Sequence, residues 1–515
     1  VVDNSLSMIP LQAKLRTEFI HLIESIRTLR GGIPNVHIGV TTTSFPTLPY
    51  AIPSCEEGPD NDGGTLHKGV STGSCANPVN QAYIIDAAGC DIERDDESGV
   101  CGSHSCSADN CAPEQFTSAG RAPEPEGLSF YTDDSGCPRC RNYEGESLSE
   151  VFGCMSEFSG EGCGFEQPLK AVERVTRTES ADAGSAGFIR QSAYLALFFI
   201  TDEDDCSALD ADLFNPSDDT LGPLTSFRCT RYGVTCEAPF TGPGSYENCT
   251  PLTTDSSELM LTPVQEFIDA LHTHKGVERV IAMGVFSPFD GKLELGLDAM
   301  GYLTNLPTCT SNLVEPHPSV RLTTFVQAFS GSEELRESSI SSICEESFIS
   351  PLSAMGARIV DFTDPVCPAS PLSGCPEPPA AFLGHDFSIT QLPESQATVC
   401  EPTCEVSWLR ENMDATPIER CPLNYKNGQP PPHDPDLPVS RCWFITYSVA
   451  CDLGPHHLPS RGARLRFSSR EEPSLQDRYH TSCHGFRAEE LFCEDGLDNN
   501  KNGLTDQDDP DCSVQ

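Results

Sequence analysis

The chain has 515 residues, too many for one ordinary domain and enough to bury a large core. Asp and Glu outnumber Lys and Arg 77 to 32, and the net charge of −45 excludes nucleic acid and anionic membrane surfaces as partners while favouring cations. Hydrophobic content of 37% with 42 Pro and 40 Gly reads as a globular protein with much loop, and 26 cysteines point to disulfides in an oxidising, extracellular compartment.

The first stretch is VVDNSLSM, two β-branched residues followed by Asp3, Ser5 and Ser7 at alternate positions. Two readings stand at this point. One is a helix N-cap; the other is a loop in which one carboxylate and two hydroxyls converge on a divalent cation. Val1 already reads as strand, so the natural N-terminus, with an export signal, is expected upstream of it. Leu11, Leu15, Phe19, Leu22, Ile26 and Leu29 recur at steps of three or four and predict one amphipathic helix, stopped by Gly31 and Gly32. VHIGVTTT, residues 36–43, predicts a buried strand, and strand, helix, strand of these lengths begins an α/β sheet.

From about Phe45 to Gly145 the periodicity disappears. Eight cysteines lie here, at Cys55, Cys75, Cys90, Cys101, Cys106, Cys111, Cys137 and Cys140, so the region reads as an insertion stapled by disulfides. CPRC (Cys137, Cys140) also has a zinc spacing, but a second CxxC is lacking and the neighbouring cysteines are irregularly spaced, which favours disulfides. SLSEVFGCMSEF and FEQPLKAVERV read as helices, the second with Leu169, Val172 and Val175 on one face. YLALFFITDEDDCS, residues 194–207, is the strongest strand and suits a central parallel position covered on both sides.

A second insertion is expected at about 206–255, with Cys206, Cys229, Cys236 and Cys249. PVQEFIDALHTH then reads as a helix and VERVIAMGVF as a strand. SSICEESFISPLSAMGARIV reads as a closing helix with Ile343, Phe348, Leu352 and Ile359 inward. The expected organisation is an α/β domain over 1–362, a Pro- and Cys-rich linker over 363–400 and a small disulfide-rich β module over 401–490. That module is read from CEVSWLRE, CWFITYSVAC and ARLRFSSRE. No apolar run approaches the length of a membrane span.

ITDEDD sets Thr201 and Asp202 at the C-terminal end of the central strand, the edge where parallel α/β sheets bind ligands, so Asp202 can meet Asp3, Ser5 and Ser7. DxSxS followed by an apolar strand ending in TD resembles the von Willebrand factor A domain with its metal-ion-dependent adhesion site, over roughly residues 1–362. The resemblance implies a Rossmann-like, mostly parallel sheet flanked by helices. It further implies Mg²⁺ (or Ca²⁺ or Mn²⁺) held by Asp3, Ser5, Ser7 and Asp202, directly or through water, with an acidic group of a partner completing the coordination. The family's threonine has no counterpart in SGEGCGFEQPL. Ser159 or a water takes its place in this reading, and Thr72 is a poorer candidate.

CEDGLDNNKNGLTDQDDPDC is a second metal candidate, bracketed by Cys493 and Cys512. Asp498, Asn500 and Asn502, the Leu504 carbonyl, Asp506 and Asp509 follow the order of an EF-hand-like Ca²⁺ loop, with Asp in place of the closing Glu. It resembles the short calcium repeats of secreted bacterial proteins and of thrombospondin type 3, and a stabilising role is expected. GVSTG, residues 69–73, lacks the strand and helix of a nucleophile elbow, and neither HExxH nor GxxxxGK[ST] occurs, so no enzyme is expected. The expected function is that of a bacterial secreted or cell-surface adhesion protein engaging an extracellular protein or glycan through its metal. The alternative is a structural subunit of an extracellular filament, pilus tip or surface coat, in which metals only stabilise the fold.

Overall fold

Val2 joins two sheets through single parallel bridges, to Thr42 on one side and Ile200 on the other. The computed structural model describes residues 1–363 except 28–32, 59–60, 62, 70–77, 90–99, 114–123, 134, 145–146, 178–184, 191–192, 276–279, 310–313 and 330–338. Beyond these it describes 387–388, 404–409, 416–422, 436–447, 463–470 and 478–483. Two units divide at Val360 and Asp361. Cys75, Cys90, Thr72, Leu29, Gly31 and Gly32 lie outside the described residues, as do Cys493, Cys512 and the whole 498–509 loop.

In the first unit the helices α1 (Ile9–Glu18) and α2 (Ile20–Ile26) precede β1 (Val36–Gly39). β1 runs antiparallel to β2 (Tyr83–Ala88), and beyond β2 come β4 (Pro138–Arg141) and β3 (Ser129–Thr132), also antiparallel. Helices α3 (Leu148–Met155) and α4 (Pro168–Thr176) lead to β5 (Leu195–Ile200). α5 (Phe227–Gly233) and the short strands β6 (Val234–Thr235), β7 (Gly244–Tyr246) and β8 (Thr250–Pro251) follow, then α6 (Val264–Lys275) and β9 (Val280–Phe286). β10 (Leu293–Leu297), β11 (Leu303–Asn305), α7 (Val320–Ala328), β12 (Ile340–Ser342) and α8 (Ile349–Thr363) complete the unit. β5, β9 and β12 are parallel, with Leu195 opposite Val280 and Ile340 opposite Gly284. From one edge the strands therefore run β3, β4, β2, β1 with Thr42, the opening segment, β5, β9 and β12, and β2 and β3 run against the others.

Continuous apolar runs make the centre of this sheet: every residue of β9 is buried. Leu197 and Phe199 of β5 pack with Ala282 and Phe286 of β9 under α4, α6 and α7, which contribute Leu169, Phe267, Leu271, Leu322 and Phe325. A separate group of helices forms around α1 and α2. Phe19 stacks on Phe152 of α3 at 3.4 Å, and α8 approaches so closely at Gly356 that a Cβ there would lie 2.4 Å from Ser25.

Three expectations are refined, and the disulfide reading of CPRC agrees with the structure. The single amphipathic helix is two, broken at Phe19, although its apolar positions from Leu11 to Ile26 are buried as the spacing predicts. The first Cys-rich region contributes β2, which pairs along the whole of β1, so this stretch is part of the sheet; its six residues are too few to show a period amid Gly and Cys. SSICEESF is β12 and a turn, and the closing helix starts only at Ile349. Glu18 accepts from the Phe348 N–H and the Ser347 hydroxyl there, and Cys309–Cys344 holds the turn; Ile359, expected inward, is half-buried. CPRC is no zinc knuckle, because Cys137 bonds Cys101 and Cys140 bonds Cys111.

The other described bridges are Cys55–Cys163, Cys206–Cys229, Cys236–Cys249 and, in the second unit, Cys421–Cys442. Cys106 is disulfide-bonded as well, and no described cysteine is free. Seven pairs are consistent with an oxidising, extracellular setting. In the second unit β14 (Cys404–Leu409) lies between β15 (Thr416–Pro417) and β19 (Arg478–Cys483). β17 (Arg441–Tyr447) pairs with β13 (Phe387–Ser388), β16 (Glu419–Arg420) and β18 (Ala463–Ser469). Among the described residues no helix is long and apolar enough to cross a membrane.

Peptide mapping without reduction is expected to recover Cys101–Cys137 and Cys111–Cys140 and no Cys137–Cys140 link; zinc retained stoichiometrically by these cysteines would contradict the assignment.

Candidate functional site

Backbone pairing sets Asp3 at the C-terminal end of β5. The Val2 N–H donates to the Thr41 carbonyl and the Asp3 N–H to the Ile200 carbonyl, both at 2.9 Å. The Asp3 carboxylate is buried and accepts on both oxygens, from the Ser5 N–H at 2.8 Å and from the Thr201 hydroxyl at 2.8 Å. Burial raises its pKa, and those two donors oppose the shift. The Ser5 and Ser7 hydroxyls lie 3.1 Å apart. No side chain caps the 3-10 turn Leu6–Met8 or α1, so the N-cap reading of DxSxS does not hold.

The acidic run after β5 divides its charges among different partners. Asp202 is 5% exposed, and its Oδ1 is buried without a hydrogen-bond partner. Burial, then Asp3 and Glu203, push its pKa up to about 7 against the pull of the Ser7 hydroxyl. Glu203 stands 3.3 Å from His317 Nδ1, an ion-pair distance without hydrogen-bond alignment. Burial disfavours the charged His317 ring, but Glu203 and Asp202 outweigh it and raise the pKa.

Asp204 accepts from the Arg321 and Leu322 N–H groups at the start of α7 at 3.0 and 3.1 Å; burial still lifts its pKa to about 6. Asp205 takes the fully buried Arg321 guanidinium at 2.9 and 3.0 Å and also accepts the Leu169 N–H at the start of α4.

The loop before α4 supplies a carboxylate that the sequence reading passed over. Glu166, 2% exposed, has its pKa raised well above the usual range by burial and then by Asp3, Glu203 and Asp202. Its loop is clamped beside the site. Gly162 donates to the Asn4 carbonyl, Gln167 to the Thr43 carbonyl, and Cys206 to the Glu166 carbonyl. A Cβ on Gly162 would meet Asn4 at 2.6 Å, so only glycine lets the loop this near. Ser159, expected in the threonine's place, is exposed, and its hydroxyl accepts the Glu161 N–H within its own loop. The signal for Glu166 was present in SGEGCGFEQPL as an acid amid apolar and small residues. His317 carried none, because its role depends on a contact over more than a hundred residues of chain.

Among the described residues no three His, Cys, Asp or Glu side chains form a group that could hold a metal ion. Asp3, Ser5, Ser7 and Asp202 nonetheless lie at one sheet edge, where Asp3 and Glu203 add to burial in raising the Asp202 pKa. The chain has no significant match to any protein-family model, curated protein or solved structure.

In EDTA the folded chain holds protons on Asp202 and Asp204 that the unfolded chain, with these groups near 3.8, has already released. Stability is therefore expected to fall as pH rises from about 4 to about 7 and then to level off, and His317 acts with the same sign. Urea midpoints at pH 5, 6, 7 and 8 test this, and a flat or rising profile would contradict it. Arg321→Ala leaves Asp205 buried and unpaired and is expected to cost about 3–5 kcal/mol in the same assay.

Proposed function

We propose that the first unit is a von Willebrand factor A-type domain and that the protein binds an extracellular protein or glycan through a divalent cation at the Asp3–Asp202 edge. The observation that carries the reading is the buried Asp202 Oδ1 without a hydrogen-bond partner, on the same sheet edge as Asp3 and the paired Ser5 and Ser7 hydroxyls. A buried carboxylate oxygen without a donor is costly, and a cation relieves that cost. The donors are all oxygen, which fits Mg²⁺, Ca²⁺ or Mn²⁺ and not a soft metal. The parallel pairing of β5, β9 and β12 under α4, α6 and α7 is compatible with the mostly parallel, helix-flanked sheet that the resemblance implies, and supports the reading further.

Asp3 and Asp202 would supply the charge and Ser5 and Ser7 neutral oxygens, while the Thr201 hydroxyl and Ser5 N–H orient Asp3. The cation, when bound, offers an electrophilic point to an oxygen of the partner. Leu6, 74% exposed between the two serines, gives the same mouth an apolar contact, so a partner meets both a charge and a hydrophobic rim. The disulfides hold flanking segments at this edge: Cys55–Cys163 joins the first Cys-rich region to the Glu166 loop, and Cys206–Cys229 anchors the acidic run. Seven disulfide pairs agree with the extracellular location that such a partner requires.

Asp3→Ala is expected to abolish cation-dependent binding to glycan arrays and to intact cells, with circular dichroism unchanged. Binding that survives both EDTA and Asp3→Ala would overturn the proposal and favour a structural role for the fold.

A further inference from the structure

We infer that a cavity between the loop before α5 and the β10–β11 turn binds the C-terminal residue of a partner polypeptide, with its apolar side chain inside and its carboxylate on Arg231 and Thr225. The cavity holds about 160 Å³, and Leu221, Thr225, Phe227, Arg231, Tyr302 and Leu303 are among the residues that line it. A cavity of about 150 Å³ accepts a benzene-sized group, so one Phe side chain fills this one. None of these residues belongs to the Asp3–Asp202 edge, and the inference needs no cation there.

Both walls are fixed by the fold itself. On one side Arg228 donates to the carbonyls of Pro223 at 3.0 Å and of Leu213 and Asn215 at 2.9 Å, and also to that of Gly222. On the other, the Asp298 carboxylate accepts the Met300 and Tyr302 N–H groups at 2.8 Å, and Gly301, at φ 85°, completes the turn. The Asn305 side chain donates to the Thr230 hydroxyl at 2.7 Å and ties β11 to α5. A cavity built in this way is preformed, and a ligand does not have to order it.

Two observations point to an anion. Thr225 Oγ1 lines the cavity, buried and without a hydrogen-bond partner, an arrangement that costs stability until a ligand meets it. Arg231 is exposed and has no ion pair or hydrogen bond among the described residues; its guanidinium lies 5.7 Å from the Tyr232 ring. Two arginines and no acid line the cavity, in a chain whose net charge is −45. Arg228 directs its donors to carbonyls, which leaves Arg231 to the ligand. Asp218 interacts electrostatically with Arg228, but its carboxylate already accepts from the Thr220 N–H and hydroxyl. One guanidinium and one hydroxyl match a single carboxylate, and the overall charge repels a doubly charged group such as a phosphate monoester.

The apolar half of the site selects a polypeptide end. Phe227 and Tyr302 offer aromatic surface to a side chain in the cavity. Leu297, exposed, stands opposite Leu303 in the β10–β11 pairing, and Met300 in the turn is 73% exposed. This margin extends past the cavity, farther than a small free acid covers, and gives the preceding residues of an extended peptide a surface to lie on.

The test is calorimetric titration of the full chain in EDTA with four probes: acetyl-Gly-Gly-Phe as the free acid, its C-terminal amide, acetyl-Gly-Gly-Gly acid and 3-phenylpropanoate. The Phe acid is expected to bind saturably, and the amide and the Gly-ended peptide about tenfold or more weaker. Arg231→Ala is expected to weaken the Phe acid about tenfold with circular dichroism unchanged, since the side chain is exposed. Thr225→Val keeps the shape and removes the orphaned hydroxyl, so affinity is expected to fall about threefold or more while the melting temperature of the free chain does not fall. Equal binding of acid and amide, or no saturable binding at millimolar peptide, would overturn the inference. Binding of 3-phenylpropanoate as tight as that of the peptide would overturn the polypeptide as occupant. A Thr225→Val chain that melts lower and binds as before would overturn the part given to the hydroxyl.

Discussion

Carboxylates crowded at the end of a parallel sheet must each find a counter-charge or a donor, and this requirement organises the first unit. β5 is followed directly by TDEDD, which brings four acids to the edge where Asp3 and Glu166 already lie. Two of the four are satisfied by the fold itself. Asp204 takes the N–H groups that begin α7, and Asp205 takes the Arg321 guanidinium and the first turn of α4. Glu203 meets His317. Asp202 is left with a buried oxygen that nothing in the described chain answers. Stability and ligand binding are thus coupled through the same short loop: the acids that fasten α4 and α7 to β5 also fix where Asp202 stands.

The disulfides act on this edge as much as on the core. Cys55–Cys163 draws the first Cys-rich region to the loop that carries Glu166, Cys206–Cys229 follows directly on the acidic run, and Cys309–Cys344 closes the loop beyond β9 onto the turn after β12. In a chain with a net charge of −45, cross-links that restrict the unfolded ensemble offset part of the repulsion that would otherwise separate these segments. Loops held in this way can present a fixed surface without a helix or strand of their own, which is the usual means by which a rigid scaffold carries a variable binding face.

Local pattern was enough wherever one segment's own residues determine its state. The 3.6-residue spacing from Leu11 to Ile26, the all-apolar runs of β5 and β9 and the α6 periodicity were legible because burial of one face imposes a period on the sequence. Asp3, Ser5, Ser7 and Asp202 were legible as a set because a parallel sheet gathers its βα loops on one edge, so order in the chain predicts proximity. β2 was not. It is a six-residue strand whose identity comes from pairing with β1 and β4, and no periodicity marks so short a segment. The boundary between β12 and α8 was hidden for a similar reason, since a carboxylate from Glu18, over three hundred residues earlier, caps the helix start.

The sequence by itself determined the α/β class, the disulfide-rich character, the acidity and the metal-type spacing of DxSxS, all of which follow from composition or short-range order. Only the tertiary structure decided that the serines do not cap a helix, that Cys137 and Cys140 bond elsewhere, that the Ser159 hydroxyl accepts the Glu161 N–H and that Glu166 and His317 lie among the acids of the edge. The reason is physical. A side chain's charge partner, burial and pKa depend on neighbours that the chain brings together across long separations, and no local period records them.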